Sequence, residues 1–564
     1  MKIGEYMKKT GKRIGEILLN LGIISEDQLV RSLKLQKERN TVLGQILIEE
    51  GFVREEQIIE VLELQFGIES IQLDKYNIDP TVPGLISEKM ARRHEMIPVQ
   101  IKDNHLVVAM TDPLNIFAID DLKLATGYDI TPLIASQKDM LLAIEQYYKK
   151  SSADNTVQEF SHSIGDYEIE NNNLDDVVKL SNAPVVKLID AIITQGADNK
   201  VSDIHIEPDE SSVRIRFRID GDLFEHMTLD KRSLSAIITR IKIMGHLNIA
   251  ENRLPQDGRV EMEIGNHRID LRISIMPTVY GEKVVLRLLD QSNKLMSLTE
   301  MGMSPDDYNK FHHIIDAPNG IILVTGPTGS GKTTTLYATL MELNDVKKNV
   351  ITVEDPVEYK LKSINQTQVN DKAGLTFAKC LRSMLRQDPD IIMIGEVRDV
   401  ETAQIAVRSA ITGHLVLSTL HTNDTVSTIA RLADMEIEPY LISSSIRGIV
   451  AQRLVKKICT NCKVSYEATA EDCIILGKEN VTLHKGTGCN LCNHSGYRER
   501  TAIYEILLMT RTIKDIITNG GNTEQIRDAA IASGLKTLKD SCEALVLQGV
   551  TTIDEMLRLT SSID

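Results

Sequence analysis

The chain has 564 residues, 42% of them hydrophobic and 26% charged, too many for one core and ordinary for a globular protein of about three to five domains. Its net charge of −16 and its 4% aromatic content without tryptophan argue against a motor that grips a nucleic-acid backbone or stacks bases. No apolar run reaches the length of a membrane span, and the N-terminal MKIGEYMKKTGKRIGEILLN has no uninterrupted apolar core, so a cytoplasmic protein is expected.

The first 150 residues read as one domain, opened by a tandem repeat. Arg13-Ile14-Gly15, Leu18, Gly22, Leu29, Leu33 and Gln36 recur 29 positions later as Val42-Leu43-Gly44, Leu47, Gly51, Ile58, Leu62 and Gln65. Each unit predicts a short helix, a glycine stop and a second helix, with Ser25 and Gln28 placed as a capping box. Leucines at three- and four-residue spacing supply the buried stripe. Residues 66–150 predict a compact α/β piece with strands at Ile97–Ile101 and His105–Met110. The polar, acidic stretch 151–175 reads as a flexible linker.

A second domain is expected over 176–303, with a helix at Val185–Gln195 and alternating strands at Val213–Arg218, Arg259–Ile264 and Arg268–Ile273. Arg214, Arg216 and Arg218 share one strand face. Such a row is commonly a solvated face. Beside a nucleotide it would supply guanidinium groups to a transferring phosphoryl group. Arg253 and the Gln256-Asp257-Gly258-Arg259 turn are further candidates.

The catalytic domain, 304–564, is organised around IILVTGPTGSGKTTT, Ile321 to Thr335. A buried strand runs into Gly326-Pro327-Thr328-Gly329-Ser330-Gly331-Lys332-Thr333, which fits G-x-x-x-x-G-K-[ST] throughout, with Thr334 following and a helix expected over Leu336–Leu343. The glycines let backbone N–H groups turn around an anion, Lys332 reaches the β- and γ-phosphates, and Thr333 can hold Mg²⁺. Strands ending in Glu354-Asp355-Pro356-Val357-Glu358 and Gly395-Glu396-Val397-Arg398-Asp399 place carboxylates where a metal shell and a water-orienting base belong. Arg382 and Arg386, four apart on a helix, either pair within their own subunit or face a neighbour's nucleotide. A third strand, Leu415–Leu420, carries His414 and His421 at its two ends, and the pair suggests a sensor of the γ-phosphate.

Seven cysteines include Cys459-x-x-Cys462 and Cys489-x-x-Cys492. The spacing predicts four thiolates closing a tetrahedral, structural Zn²⁺ site in an insertion at 455–500, with a redox pair as the lesser alternative.

GPTGSGKT, the acidic box EDPVE, DPDIIMIGEVRD and TGHLVLSTLHTND in this order, preceded by SDIHIEP and QDGR, resemble the ATPases of type II secretion and type IV pili. The repeat resembles the MshE-type N-terminal domain of such ATPases, which binds cyclic di-GMP. Arg13 to Gln36 fits its first unit throughout, and Val42 to Gln65 fits the second except at Val42, where an Arg is expected, and at Phe52. The resemblance implies an α/β multidomain fold: a RecA-like P-loop core, a preceding PAS-like domain, a helical and α/β N-terminal domain and a tetracysteine zinc insertion. It implies a homo-hexamer binding ATP and Mg²⁺ between the second domain and the RecA-like domain. The loop residues Gly326 to Thr334 would hold phosphate, Glu354 and Glu396 would share base and metal-shell duties, and His421 would contact the γ-phosphate. Arg216, Arg218, Arg382 and Arg386 would be the arginines at the site. Arg13, Ile14, Gly15, Leu18, Gly22, Gln36, Leu43, Gly44, Leu47, Gly51 and Gln65 would form the cyclic di-GMP site.

The implied partners are an inner-membrane platform protein and a cytoplasmic docking protein, so that the chain meets the inner face of the membrane only through them, with no nucleic acid. The expected function is pilin assembly into a type IV pilus. The rivals are a type II secretion motor, a DNA translocase, and a nucleotide-binding module without turnover.

Overall fold

The computed structural model describes residues 14–39, 43–73, 76, 78–79, 82–102, 104–113, 115–137, 139–141, 143–144, 147–148, 184–264, 267–291 and 296–560. Arg13, Val42 and the expected linker 151–175 lie outside them. The chain divides into two compact units, Met1–Ile192 with Leu229–Arg240, and Ile193–Thr228 with Ile241–Asp564.

In the first unit the repeat forms helices Ile14–Asn20, Glu26–Arg39, Leu43–Glu49 and Glu55–Phe66. Gly22 and Gly51 follow the short helices at φ +69° and +71°, the left-handed conformation a helix stop requires. Ser25 N–H donates to Gln28 Oε1 (2.8 Å) and Gln28 N–H to Ser25 Oγ (3.3 Å), closing the expected capping box. Ile17, Leu18, Ile24, Leu43, Leu47, Val53, Ile58 and Val61 form the shared core. A Cβ on Gly15 would lie 2.6 Å from Leu29 Cδ1, so the glycine is set by helix packing. Strands β1 (Met96–Lys102), β2 (His105–Met110) and β3 (Asp129–Ile134) form a three-stranded sheet in that order, β1 and β2 antiparallel, β2 and β3 parallel.

The second domain's sheet comprises β4 (Asp203–Pro208), β5 (Ser212–Ile219), β6 (Asp222–Asp230), β7 (Gln256–Ile264), β8 (His267–Thr278) and β9 (Gly281–Asp290). Their order is β6-β5-β4-β9-β8-β7, with β4–β5, β4–β9, β8–β9 and β7–β8 antiparallel. This is the sheet of the expected PAS-like domain. Its register sets Asp203 opposite Arg218, His205 opposite Arg216 and Glu207 opposite Arg214. The arginine row thus faces an acid-bearing neighbour rather than bare solvent.

The catalytic sheet has order β12-β11-β13-β14-β10-β15-β18, from β10 (Gly320–Thr325), β11 (Val350–Glu354), β12 (Asn365–Gln368), β13 (Ile391–Ile394), β14 (Leu415–Leu420), β15 (Ile446–Ile458) and β18 (Tyr497–Leu508). All pairs are parallel except β15–β18. Both faces are covered: Ile321 and Leu323 enter one apolar core, Ile322 and Val324 the other, the two-residue period of a doubly buried strand. β15 and β18 bracket a small insertion holding β16 (Lys463–Glu467) paired with β17 (Thr482–Gly486) and the four cysteines.

The expected boundary at 303 falls inside the second unit, which holds β4, β5 and β7–β9 together with the catalytic sheet. Ion pairs link the two sheets within this unit: Asp222 with Lys456, Asp220 with Arg500 (3.0 Å), and Arg272 with Glu358.

Candidate active site

Parallel register fixes where the chemistry gathers. Thr325 pairs with Leu420 of β14 and with Ala451 of β15, so the loop after β10 opens between the C-terminal end of β14 and the middle of β15, which runs on to Ile458. Gly326, Gly329 and Gly331 have φ of +147°, +79° and +87°, conformations that suit glycine and aim successive N–H groups inward. A Cβ on Gly326 would stand 2.5 Å from Gln452 O. The following helix begins at Lys332, earlier than the expected Leu336, and ends at Leu343. Its positive end therefore lies at the loop itself.

Lys332 is buried, and its Nζ donates to the carbonyls of Gly326 (2.8 Å) and Pro327 (3.0 Å). Burial pushes its ammonium down to about 8, with Glu396 opposing the shift and Arg453 adding to it. Pro327, Thr328, Gly329 and Thr333 are exposed, and Ser330 is buried. The loop thus has a covered lysine and an open rim.

The two glutamates differ. Glu396, after β13, pairs with Arg398 and meets His421 Nε2 at 3.2 Å. It is the acid whose field Lys332 feels. Glu354, at the end of β11, is buried and accepts from Tyr337 Oη, Thr352 Oγ1 and Gln366 Nε2 (3.0 Å for the last). Its carboxylate is already occupied by donors of its own domain.

His421 lies beyond the C-terminal end of β14 and is half exposed, and Thr422 N–H donates to Thr325 Oγ1 (3.0 Å). The second histidine of the expected sensor pair is corrected. Gly320 pairs with Leu415, Gly320 N–H donates to the His414 carbonyl, and the His414 ring meets Ser409 O at 2.9 Å. His414 therefore stands at the opposite end of the sheet from the loop, a strand's length away, and closes a helix turn.

The four candidate arginines spend their hydrogen bonds outside the phosphate loop. Arg216 grips Glu207 through Nε (2.8 Å) and Nη2 (3.0 Å), joined by Lys283 Nζ at 2.7 Å. Against burial, which pushes it up, these two cations hold the Glu207 carboxyl down to about 2. Arg218 donates to Gly221 O (2.7 Å). Arg382 pairs with Glu401, and Arg386 donates to Arg382 O (3.0 Å) and Ser383 Oγ (3.3 Å). Arg253 folds back on Glu251 at 3.0 Å, and Arg259 grips the fully buried Asp270 at 2.7 Å.

In the insertion, Cys459, Cys462, Cys489 and Cys492 are buried, and their Sγ atoms all lie within 4.8 Å of one another. Measured edges are 3.8 Å (Cys459–Cys489), 3.9 Å (Cys462–Cys492) and 3.7 Å (Cys489–Cys492). A tetrahedron of Zn–S bonds of ~2.3 Å has edges of about 3.8 Å, and a disulfide would need about 2 Å. Gly496 N–H (3.3 Å) and Cys489 N–H (3.2 Å) point at Cys492 Sγ, donors that suit a thiolate. The donor set fits a closed structural metal site.

The repeat residues divide. Gly15, Leu18, Leu43 and Leu47 are buried between helices, and the three leucines belong to the repeat's core. Ile14, Gly22, Gln36, Gly44 and Gly51 retain exposed surface. Arg13 and the Gln65 side chain lie outside the described residues. Sequence reasoning missed Tyr337, Gln452 and Arg453. A Gln-Arg pair interrupting the apolar run of β15 was the available signal for the last two.

Residues 178–558 match the family described as type II/IV secretion system protein, and residues 66–154 match the MshEN domain, which begins where the repeat ends. The chain is 42% identical over 559 residues to the type IV pilus assembly ATPase PilB of Myxococcus xanthus, covering 97% of this chain and 99% of that protein. It is 39% identical over 564 residues to the type II secretion system protein E of Xanthomonas campestris pv. campestris, covering 97% and 98%. The Legionella pneumophila ATPase DotB shares the fold, with a TM-score of 0.50 at 22% identity over 67% of this chain and 96% of that one.

Proposed function

The chain belongs to the type II/IV secretion system protein family and is an ATPase, and from that premise we propose that it is the hexameric motor of type IV pilus assembly. The observation that carries this reading is its 42% identity to a pilus assembly ATPase along 97% of the chain, first domain included. None of its described helices is long and apolar enough to cross a membrane, so force reaches the membrane through a platform protein, with a cytoplasmic docking protein as the second partner.

The loop Gly326 to Thr334 binds the phosphates of ATP, and Lys332 leaves its carbonyl perches to meet them. Thr333 and Glu396 would hold Mg²⁺, which neutralises charge on the β- and γ-oxygens when bound. Glu354 and Glu396 share the metal-shell and base duties. The bonds occupying Glu354 and the field of Glu396 at Lys332 favour Glu396 for the shell. His421, oriented by Glu396, reports the γ-phosphate to the loop that follows it. Arg216, Arg218, Arg382 and Arg386 are committed within the chain, so they act on a neighbouring copy's nucleotide only by exchanging these partners when the ring closes. The cysteine cluster holds Zn²⁺. The repeat, through Arg13 and its exposed residues, takes cyclic di-GMP.

The test is genetic. Deleting the gene and restoring it as wild type or Lys332→Ala should abolish and then restore surface pili only with the wild type, leaving secreted proteins unchanged. Loss of secreted proteins with pili intact would favour the second reading, a type II secretion motor, which the 39% identity to a secretion protein along the whole chain supports.

A further inference from the structure

Beside the phosphate loop, β15 carries two polar side chains that the site has not yet used. Ala451 pairs with Thr325, so Gln452 and Arg453 continue alongside the loop. Gln452 is fully buried: its Oε1 accepts from Thr335 Oγ1 (2.6 Å), and its Nε2 has no partner among the described residues. That amide faces the loop, since a Cβ on Gly331 would lie 2.9 Å from it. Arg453 is 5% exposed. Nη2 donates to Asn423 Oδ1 (3.0 Å) in the histidine-box loop, while Nε and Nη1 are buried without a partner among the described residues. Ser330 Oγ, in the loop itself, is also unpartnered there.

A buried guanidinium with one hydrogen bond is an expensive arrangement. The acid that its charge feels, Asp424, is already engaged by Ser427 N–H (2.7 Å) and Arg527 (3.0 Å). Lys332 is a second buried cation within the same field, satisfied only by two carbonyls. Two buried cations that feel each other's charge, three sets of idle donors and a glycine loop describe a cradle for a polyanion.

We propose that Arg453 is a nucleotide-contacting residue supplied by the same subunit, closing its free Nε–H and Nη1–H on phosphate oxygens of the nucleotide held at Gly326–Thr333, with the Gln452 amide as a third donor. This rests on the reading of that loop as the ATP site. The fork of a guanidinium suits two phosphate oxygens at once, and Asn423 fixes its orientation. Because Asn423 follows His421 and Thr422, the contact also ties the histidine box to the nucleotide.

Full-length Arg453→Gln, Arg453→Lys and Lys332→Ala proteins would be compared with wild type for kcat, KM, ADP affinity and the melting-temperature rise on adding Mg-ATP. The expected result for Arg453→Gln is at least a ~10-fold fall in kcat/KM and loss of most of the nucleotide-induced rise. A purely structural role would lower the melting temperature of the free protein and leave that rise intact, which overturns the proposal. So does kcat/KM within about twofold of wild type. Should Arg453→Gln not fold, Arg453→Lys decides: a ~10-fold fall in kcat/KM at wild-type melting temperature supports the contact, and unchanged kcat/KM overturns it. If Lys332→Ala removes turnover while the Arg453 variants do not, only this proposal fails. If Lys332→Ala is also indifferent, the loop is not the ATP site.

Discussion

Tyr337 donates its hydroxyl proton to a carboxylate oxygen of Glu354, so the helix that begins at the phosphate loop holds the acid of the neighbouring strand end. The same hydroxyl accepts the Glu358 N–H at 3.2 Å. Tyr337→Phe leaves the buried Glu354 carboxylate and the part-buried Glu358 N–H each short of a partner, and a loss of about 1–3 kcal/mol is expected in denaturant unfolding. ADP affinity should stay within about threefold, because the phosphate loop is untouched. A variant as stable as wild type would mean that Glu354 finds its donors elsewhere.

Glu396→Gln keeps the size of the side chain and removes the charge facing Lys332. Steady-state phosphate release should fall by about 100-fold or more, with ATP still bound. Unaltered turnover would take Glu396 out of the reaction.

Lys332 gives the site a pH dependence. Its free-protein value of about 8 reflects burial first, and a bound phosphate chain pushes it back up, so the protonated form is the one that binds. Affinity for a non-hydrolysed ATP analogue should therefore be level below about pH 7 and weaken above about pH 8, by up to ~10-fold per unit. The stability of the free protein runs the other way. Its unfolded chain holds the lysine proton more tightly, so this group's contribution rises with pH above about 8 until the ordinary lysine value is passed. A pH-independent affinity through this window would mean that Lys332 does not meet the phosphates.

For the cysteine cluster, metal analysis of protein purified without chelator should find about one Zn²⁺ per chain. Cys489→Ser should release it and lower the melting temperature by several degrees, since the insertion is too small to hold itself. A content far below one would remove the metal reading.

If the repeat takes cyclic di-GMP, the dinucleotide should change basal ATP hydrolysis, and Arg13→Ala should abolish the change while leaving the basal rate alone. Calorimetry that finds no saturable binding to the full chain would leave the repeat as a docking module.

The catalytic sheet was legible because its strands are buried on both faces and stand out as short apolar runs. β14 appears with the bounds read from sequence, Leu415–Leu420, and β13 ends just before Gly395 as expected. The phosphate loop was legible because its glycines are demanded by backbone geometry. What escaped was relational. Nothing in the local sequence says that a parallel register sends His414 to the far end of the sheet, or that Glu354 is claimed by a tyrosine 17 positions earlier. Leu18 and Leu47 match a ligand motif, and that they also share a core is visible only once the helices are packed. Arg453 was invisible as a site residue because its neighbours, Asn423 and Lys332, are remote in the chain.

β15 passes the phosphate loop at Ala451–Arg453 and delivers Cys459 to the cysteine cluster one residue after it ends. From Arg453 to Cys459 a strand spans about 20 Å. Along it, antiparallel pairing to β18 joins Arg453 to Ile503 and Ile458 to Tyr497, just past Cys492. The cysteines therefore sit, like a buckle, at the far end of the hairpin whose near end lies beside the phosphate loop. Were the cluster to hold the Zn²⁺ proposed above, a chelator would loosen this hairpin from outside and slow ATP hydrolysis without any reagent reaching the phosphate loop.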